Sequence, residues 1–324
     1  MPAPSRFATI DALRGVAAIA VMLFHADGDT PLEMPGGYLA VDLFFALSGF
    51  VIAHSYAARM DAGMAFGTFM RLRMARLWPM LALGAVLGIV LHGGHAGMLF
   101  LLPNPHSPDM LYPANPPFWS LLLEMIGYAG FALLWWRIGA RGLGMIIAVA
   151  AATLAIASAG DAKLLGFGAQ WQGMLPGLAR LAFAFSIGIA IWHFRKGAAQ
   201  RRITNAAWAL PAAFLVAAWG AGQTNLPGLA VILLLVPLLT WLATGWEVPQ
   251  ARLAAALGDC SYPLYCVHVP LIATAQAMQM SVWIVLLALP PLALWLDRAV
   301  DAPLRQHLRK LLIPRPARAR PEAV

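Results

Sequence analysis

Charged residues and cysteines are both scarce in this chain of 324 residues. Only 11% of the residues are charged, whereas 61% are hydrophobic, and the mean hydropathy is +0.72. Soluble proteins carry about a quarter charged residues, so this chain has too few charges to cover a soluble surface. The two cysteines provide no disulfide framework and no zinc-binding spacing. The composition therefore indicates a polytopic membrane protein.

Long uncharged runs supply the membrane spans. A helix needs about 20 mainly apolar residues to cross the bilayer core, and residues 203–246 and 260–296 are each long enough for two crossings. We predict an all-α, polytopic membrane helical bundle of about ten transmembrane helices. The predicted spans are residues 10–28, 37–57, 77–93, 117–136, 142–160, 174–194, 204–221, 228–245, 255–277 and 281–298.

The basic residues predict the orientation of these spans. With a cytoplasmic N-terminus, every Lys and Arg falls in a cytoplasmic segment except Arg14, Lys163, Arg180 and the bordering Arg298, as the positive-inside rule expects. Both termini are then cytoplasmic. The net charge of +8 is explained by cytoplasmic loops that face anionic lipid heads, so nucleic acid is not expected as a partner.

Ionisable groups inside predicted spans are costly, so each is a candidate functional residue. Arg14 and His25 are eleven residues apart on the first span, almost three turns, and therefore share one helix face about 16 Å apart along the axis. Arg14 lies towards the cytoplasmic end and His25 in the outer half. The structural alternatives are a snorkelling arginine and a hydrogen-bonded packing histidine.

Two acids enter the membrane from the outside at a depth similar to that of His25. They are Asp42 on the second span and Glu124 on the fourth. A carboxylate beside a histidine fixes its tautomer and raises its basicity, so both acids are candidate catalytic partners of His25. The sequence leaves open which of them contacts it, and either acid can instead tie helices together.

Arg73 and Arg76 precede the third predicted span as helix neighbours that can grip one anion together. Guanidinium groups suit phosphate oxygens, and Arg14 lies at the same membrane depth. These residues predict a phosphate-binding site, although a basic flank on the cytoplasmic side is the simpler explanation of the pair alone.

The ninth predicted span carries polar residues on one face. Ser261, Tyr265 and His268 follow each other at i, i+4 and i+7, which is the spacing of one helix face. Pro263 and Pro270 should bend this helix and free backbone carbonyls, which must then face protein or a cavity. Structural and functional interpretations of His268 both stay open, and no histidine spacing predicts a metal site.

Four motifs stand in a recognisable order along the chain. They are IDALRGVAAIAVMLFH at 10–25, GGYLAVDLFFALSGFVI at 36–52, WSLLLE at 119–124 and SYPLYCVH at 261–268. Together with Arg73-x-x-Arg76 and the proline at 79, they resemble the acyltransferase 3 family of membrane O-acyltransferases. The resemblance extends over nearly the whole chain, and the motif at 36–52 is the most specific. The family often has two adjacent acids after its Trp-Ser-Leu sequence, whereas in this chain Met125 follows Glu124.

The resemblance implies transfer of an acyl group, commonly acetyl from acetyl-CoA, to a hydroxyl of a cell-envelope saccharide or a similar acceptor. It implies that Arg14 and His25 are essential and that Arg73 and Arg76 handle the acyl donor. Acyl-CoA as co-substrate, a glycan or glycolipid acceptor and membrane lipids are the expected partners, with no tightly bound cofactor and no metal. A transmembrane domain at 1–305, a basic Pro/Arg cytoplasmic tail at 306–324 and a bacterial inner membrane are also expected.

The residues and the resemblance together predict a mechanism in which His25 is the general base on the acceptor hydroxyl. Asp42 or Glu124 would orient the imidazole, and the candidate oxyanion or acceptor contacts are Ser48, Tyr265 and His268. A covalent acyl-enzyme on Ser or His stays open. The alternative function is a secondary transporter or flippase of an acylated or anionic solute, which intramembrane charges and broken helices also suit.

Overall fold

The computed structural model of the protein describes residues 7–26, 34–160, 163–196, 202–222 and 224–312, and these are almost entirely helical. The helices are α1 (Ala8–Phe24), α2 (Ala40–Asp61), α3 (Phe66–His92), α4 (Phe118–Leu134), α5 (Ala140–Ser158), α6 (Met174–Arg195), α7 (Ala209–Ala221), α8 (Asn225–Ala230), α9 (Val236–Ala243), α10 (Ala251–Ala277), α11 (Val282–Leu296) and α12 (Ala302–Leu312). Single π-helical turns, Val231–Leu235 and Asp297–Asp301, join α8 to α9 and α11 to α12. A short parallel pair, β1 (Arg202–Ile203) with β2 (Trp246–Glu247), connects two loops.

Each of the ten predicted spans overlaps a helix, and the helical class is confirmed. Among the described residues, six helical segments are long and apolar enough to cross a membrane, and α4 and residues 205–221 form shorter apolar helices. The six are Gly37–Asp61, Phe66–His92, Ala140–Ser158, Met174–Arg195, Asn225–Ala243 and Val282–Leu312. The count of ten and the cytoplasmic placement of both termini stay predictions.

Two helices extend well beyond the predicted segments, while the predicted domain limits stay predictions. Helix α3 begins at Phe66 rather than at residue 77, because Met, Leu, Arg and Ala are good helix formers and nothing between them stops a helix. Arg73 and Arg76 therefore lie inside the helix. At the other end of the chain, α12 continues past the domain boundary predicted at residue 305 as far as Leu312, and residues 313–324 lie outside the described part.

The core of the bundle is α1, which packs along α10 and is also covered by α2 and α7. Gly15 allows this contact, since a Cβ there would collide with Leu257 of α10. Helices α2 and α6 approach as closely, because a Cβ at Gly49 or Gly188 would strike the backbone of the other helix. Small residues at such crossings let membrane helices gain van der Waals contact.

Proline shapes α10 as predicted and connects it to a loop. Pro270 has no N–H to donate to the carbonyl of Cys266 one turn earlier. The side-chain amide of Asn115 donates to that oxygen at 3.0 Å, and also to the carbonyl of Gly84 at 3.3 Å. The freed carbonyl thus faces protein, and the loop before α4 is fixed against α3 and α10.

Candidate active site

A cavity of about 870 Å³, including its open mouth, lies between α1, α2, α3, α4 and α10. Its polar and charged lining residues are Arg14, Ser48, Arg73, Arg76, Ser120, Glu124, Tyr128, Ser261, Tyr262 and Tyr265. The fold therefore brings together all three predicted donor-binding arginines, one predicted acid and two of the predicted polar contacts. His25, Asp42 and His268 do not line this cavity.

The arginine cluster, Arg14, Arg73 and Arg76, gives the cavity a strong positive charge. Arg73 donates from Nη2 to the hydroxyl of Tyr128 at 2.8 Å and stacks over its ring at 4.3 Å, but its buried Nε has no partner among the described residues. Arg14 makes no hydrogen bond or ion pair within the described part of the chain. Unsatisfied buried guanidinium donors favour an anionic ligand.

Arg76 is the member of the arginine cluster that has an acidic partner. Its Nη1 lies 3.5 Å from Oδ2 of Asp301, and its guanidinium stands 5.5 Å from the ring centre of Tyr262. Asp301 is fully buried in the π-helical turn before α12 and also forms an ion pair with Arg305, whose Nε lies 3.3 Å from Oδ2. The long, shared contact leaves Arg76, whose side chain is 33% exposed, able to reach into the cavity.

Glu124 is the one carboxylate among the described lining residues, and it holds a small hydroxyl network. Its Oε1 accepts from Ser48 at 2.7 Å and from Tyr128. Because Arg73 donates to the same Tyr128 hydroxyl, the acid and the arginine are linked through a neutral group. Oε2 of Glu124, a residue of the cavity lining, makes no hydrogen bond within the described residues.

Tyr265 lines the cavity and also contacts residues outside it. Its hydroxyl lies 2.5 Å from that of Ser120 and 3.1 Å from the carbonyl of Pro117. Its ring meets Phe44 edge to face at 5.7 Å and lies 5.9 Å from the ring of His268. Tyr265 thus lines the cavity and contacts His268.

The histidine pair, His25 and His268, joins the end of α1 to the middle of α10. Nε2 of His268 lies 3.2 Å from Nδ1 of His25, and the rings meet at 5.0 Å. Nδ1 of His25 is also 2.9 Å from the carbonyl of Val21. Nε2 of His25 has no partner among the described residues, whereas Nδ1 has two.

The two acids contact other residues than His25. Asp42 forms a doubly hydrogen-bonded ion pair with Arg180 of α6, at 3.0 Å and 2.6 Å, and both side chains are fully buried. Arg180 further donates to the carbonyls of Phe167 and Tyr38. Glu124 lines the cavity instead. The expectation that one of them orients the imidazole is not met in this structure, because Asp42 neutralises Arg180 and Glu124 accepts from hydroxyls.

The loop before α4 and the loop before α6 pair with each other through the backbone. The amide of Leu111 donates to Ala169 at 3.0 Å, and the amide of Trp171 donates to Asp109 at 2.9 Å. Within the loop before α4, the buried hydroxyl of Tyr112 donates to the carbonyl of Leu101 at 2.5 Å, and burial raises the pKa of this phenol. The contact between the two loops is thus fixed by backbone pairing between segments distant in sequence.

Sequence reasoning missed several residues of the site. Tyr128 lies one turn after Glu124 on the same face, and that spacing was the available signal. Arg180 was noticed as a charge inside a span, but its partner was not. Asp301 and Ser120 carried no signal that distinguishes them from loop and packing residues. Within the described residues, no group of three or more His, Cys, Asp or Glu side chains could hold a metal.

Comparison with known proteins connects this geometry to a family. A sequence profile described as an acyltransferase domain matches residues 7–296, which includes the cavity and the histidine pair. The chain is also similar to a protein of Rhizobium radiobacter named "Protein 2 in picA locus", at 35% identity over 186 residues, 48% of this chain and 96% of that relative. No solved structure shows a significant match. The profile implies an enzyme, and the chain belongs to the acyltransferase 3 family of membrane acyltransferases.

Proposed function

We propose that the protein transfers an acyl group, in particular acetyl, from acyl-CoA to a hydroxyl of a cell-envelope saccharide or a similar acceptor in a bacterial inner membrane. One observation carries the proposal: Tyr265 lines the cavity that holds the arginine cluster, and its ring lies 5.9 Å from that of His268. His268 in turn contacts His25, whose Nε2 has no partner among the described residues. The cavity has the chemistry of an anion site, and the histidine has that of a proton acceptor.

The donor is assigned from charge and length. Acetyl-CoA carries several phosphate oxygens, which guanidinium forks bind well. The eleven residues from Arg14 to His25 correspond to about 16 Å of helix. A donor anchored at the arginine cluster must carry its acyl group on a long arm, and CoA holds its thioester at the end of an extended pantetheine chain. Phe44 and Tyr265 must part to let the thioester reach His25.

His25 acts as the general base in this scheme. Nε2 takes the proton of the acceptor hydroxyl while the hydroxyl oxygen attacks the carbonyl carbon of the thioester. The C–S bond then breaks and releases the CoA thiolate. That thiolate takes up the proton, so the reaction is balanced. A sugar hydroxyl is a poor nucleophile until a base removes its proton, and a positioned base contributes about 10²–10⁴-fold.

The hydroxyls of Ser48 and Tyr265, predicted as oxyanion contacts, already have hydrogen-bond partners in this structure. The Ser48 hydroxyl is engaged with Glu124, and the Tyr265 hydroxyl is engaged with Ser120 and Pro117. Either must exchange its partner before it can donate to a tetrahedral intermediate. Their roles, and the catalytic role of Glu124, stay predictions.

Acyl transfer is tested with labelled donor. Membranes containing the protein receive acetyl-CoA labelled in the acetyl group, together with envelope glycan or glycolipid. We expect label in the glycan, released by mild base as an O-ester is. Label retained on the protein would instead point to a covalent intermediate, and no transfer from several acyl-CoA donors by folded protein would contradict the proposal.

Replacing Arg14 with glutamine tests the donor site. Because Arg14 has no partner among the described residues, its removal breaks no known contact of the folded protein. We expect KM for acetyl-CoA to rise about tenfold or more, since hydrogen bonds to charged groups contribute about 1.5–3 kcal/mol, with a smaller change in kcat. The matched control is Arg141→Gln on the exposed start of α5, which should leave KM unchanged. An unchanged KM in Arg14→Gln would place the phosphates elsewhere.

A further inference from the structure

His268 is fully buried in α10, and both of its ring nitrogens are engaged. Nδ1 lies 3.0 Å from the carbonyl oxygen of Leu264 and 3.0 Å from that of Tyr265. Carbonyl oxygens only accept hydrogen bonds, so the hydrogen of the ring is on Nδ1. A neutral imidazole has one N–H group, and Nε2 of His268 is therefore a bare lone pair.

This lone pair determines where His25 carries its hydrogen. Nε2 of His268 and the carbonyl of Val21 both approach Nδ1 of His25, at 3.2 Å and 2.9 Å. Two acceptors at one nitrogen require a hydrogen on it, so Nδ1 of His25 is the donor. Nε2 of His25 is then unprotonated, which is the state that a general base needs.

Neither ring is paired with an acid in the described part of the chain. Asp42 is bound to Arg180, and Glu124 accepts from Ser48 and Tyr128. A buried charge without a partner is costly, so both histidines are neutral at rest. A carboxylate often accepts the Nδ1–H of a catalytic histidine, and here His268 is the acceptor in its place.

We infer that His268 is a positioning residue that fixes the tautomer and orientation of His25 through a two-imidazole relay anchored on the backbone of α10. The inference rests on the proposed function, in which His25 is the base. When Nε2 of His25 takes the proton of the acceptor, Nδ1–H remains bound to the lone pair of His268, which stabilises the imidazolium. Since the Tyr265 carbonyl holds His268 and Tyr265 lines the cavity, one residue of the donor cavity also orients the relay.

Two substitutions of His268 separate this role from packing. Glutamine places an oxygen acceptor where Nε2 stands, whereas asparagine reaches only the position of Nδ1 and leaves His25 without its second acceptor. We expect His268→Asn to lower kcat about 10- to 100-fold, a part of the roughly 10²–10⁴-fold that a general base supplies, with KM for acetyl-CoA unchanged. His268→Gln should recover most of that loss. Equal activity of both variants and the wild type would overturn the inference.

The tautomer itself is measured by ¹⁵N NMR of protein labelled at histidine, with the His25 signals assigned from their disappearance in His25→Gln. We expect a protonated Nδ1 and a bare Nε2 on His25 in the wild type, and a mixture of tautomers in His268→Asn. A protonated Nε2 in the wild type would overturn the inference even if neither variant folds.

The two readouts also distinguish this inference from the proposed function. If NMR shows the expected tautomer but His25→Gln transfers acetyl as fast as the wild type, His25 is not the base, although the contact with His268 still fixes its tautomer. Loss of transfer in His25→Gln together with an unchanged tautomer and kcat in His268→Asn would remove the relay and leave the base.

Discussion

Replacing His25 with glutamine is expected to lower kcat for acyl transfer by about 10²–10⁴-fold, because the amide cannot take a proton from the acceptor hydroxyl. KM for acetyl-CoA should change little, since the arginine cluster that binds the donor lies about three helical turns away. The measurement is steady-state transfer of labelled acetyl at varied donor concentration, with the amount of folded protein determined by size-exclusion chromatography in detergent.

The matched control is His92→Gln. His92 also lies at a helix end, and its Nε2 contacts the carbonyl of Pro270 at 2.8 Å, a contact that a glutamine amide can keep. Its kcat should remain close to that of the wild type. Activity retained in His25→Gln would contradict the base assignment, and loss of folded protein in that variant alone would show that His25 is a packing residue.

Removing one side of the buried Asp42–Arg180 pair should give the largest loss of stability. Breaking such a pair leaves an uncompensated charge and costs about 3–5 kcal/mol, and here Arg180 also fixes the carbonyls of Phe167 and Tyr38. We expect Asp42→Ala to lower the thermal unfolding midpoint in detergent by several degrees. The double variant Asp42→Ala with Arg180→Met should lose less free energy of unfolding than the two single variants together, because it leaves no unpaired charge.

An exposed arginine provides the comparison for this experiment. Arg141→Met removes a guanidinium from the surface of α5 and should change the free energy of unfolding by less than about 0.5 kcal/mol. The same variants also decide between the two roles of Asp42. If Asp42→Ala unfolds at the wild-type temperature yet transfers no acetyl group, Asp42 is a catalytic residue, as the sequence analysis allowed, and not a structural ion-pair partner.

The ion pair shows why partners inside a membrane are hard to predict from one sequence. Asp42 and Arg180 are 138 residues apart, and both were visible as costly charges. Depth along the bilayer normal is readable from span boundaries, but the rotation of each helix and the choice of neighbours are not. The sequence therefore leaves open which acid contacts His25, and the structure pairs Asp42 with Arg180.

The arginine cluster, in contrast, is predictable from the sequence. Arg73 and Arg76 are three residues apart on one helix, so helical spacing makes them neighbours, and Arg14 on another helix shares their predicted depth. The structure lines one cavity with all three. Its hydroxyl network was not predictable in the same way, because Ser48 and Tyr128 become neighbours of Glu124 and Arg73 only where α2, α3 and α4 meet.

The sequence by itself determined the helical membrane class, the charged residues buried within it and the helix faces that carry them, because hydrophobicity and the 3.6-residue period are local properties of the chain. Only the tertiary structure decided which charges neutralise each other, that Tyr265 of the cavity contacts His268, and that His268 takes the place expected of an acid beside His25. These relations depend on how α1, α2, α6 and α10 cross. The glycines at 15, 49 and 188 bring those helices close enough for such side chains to meet.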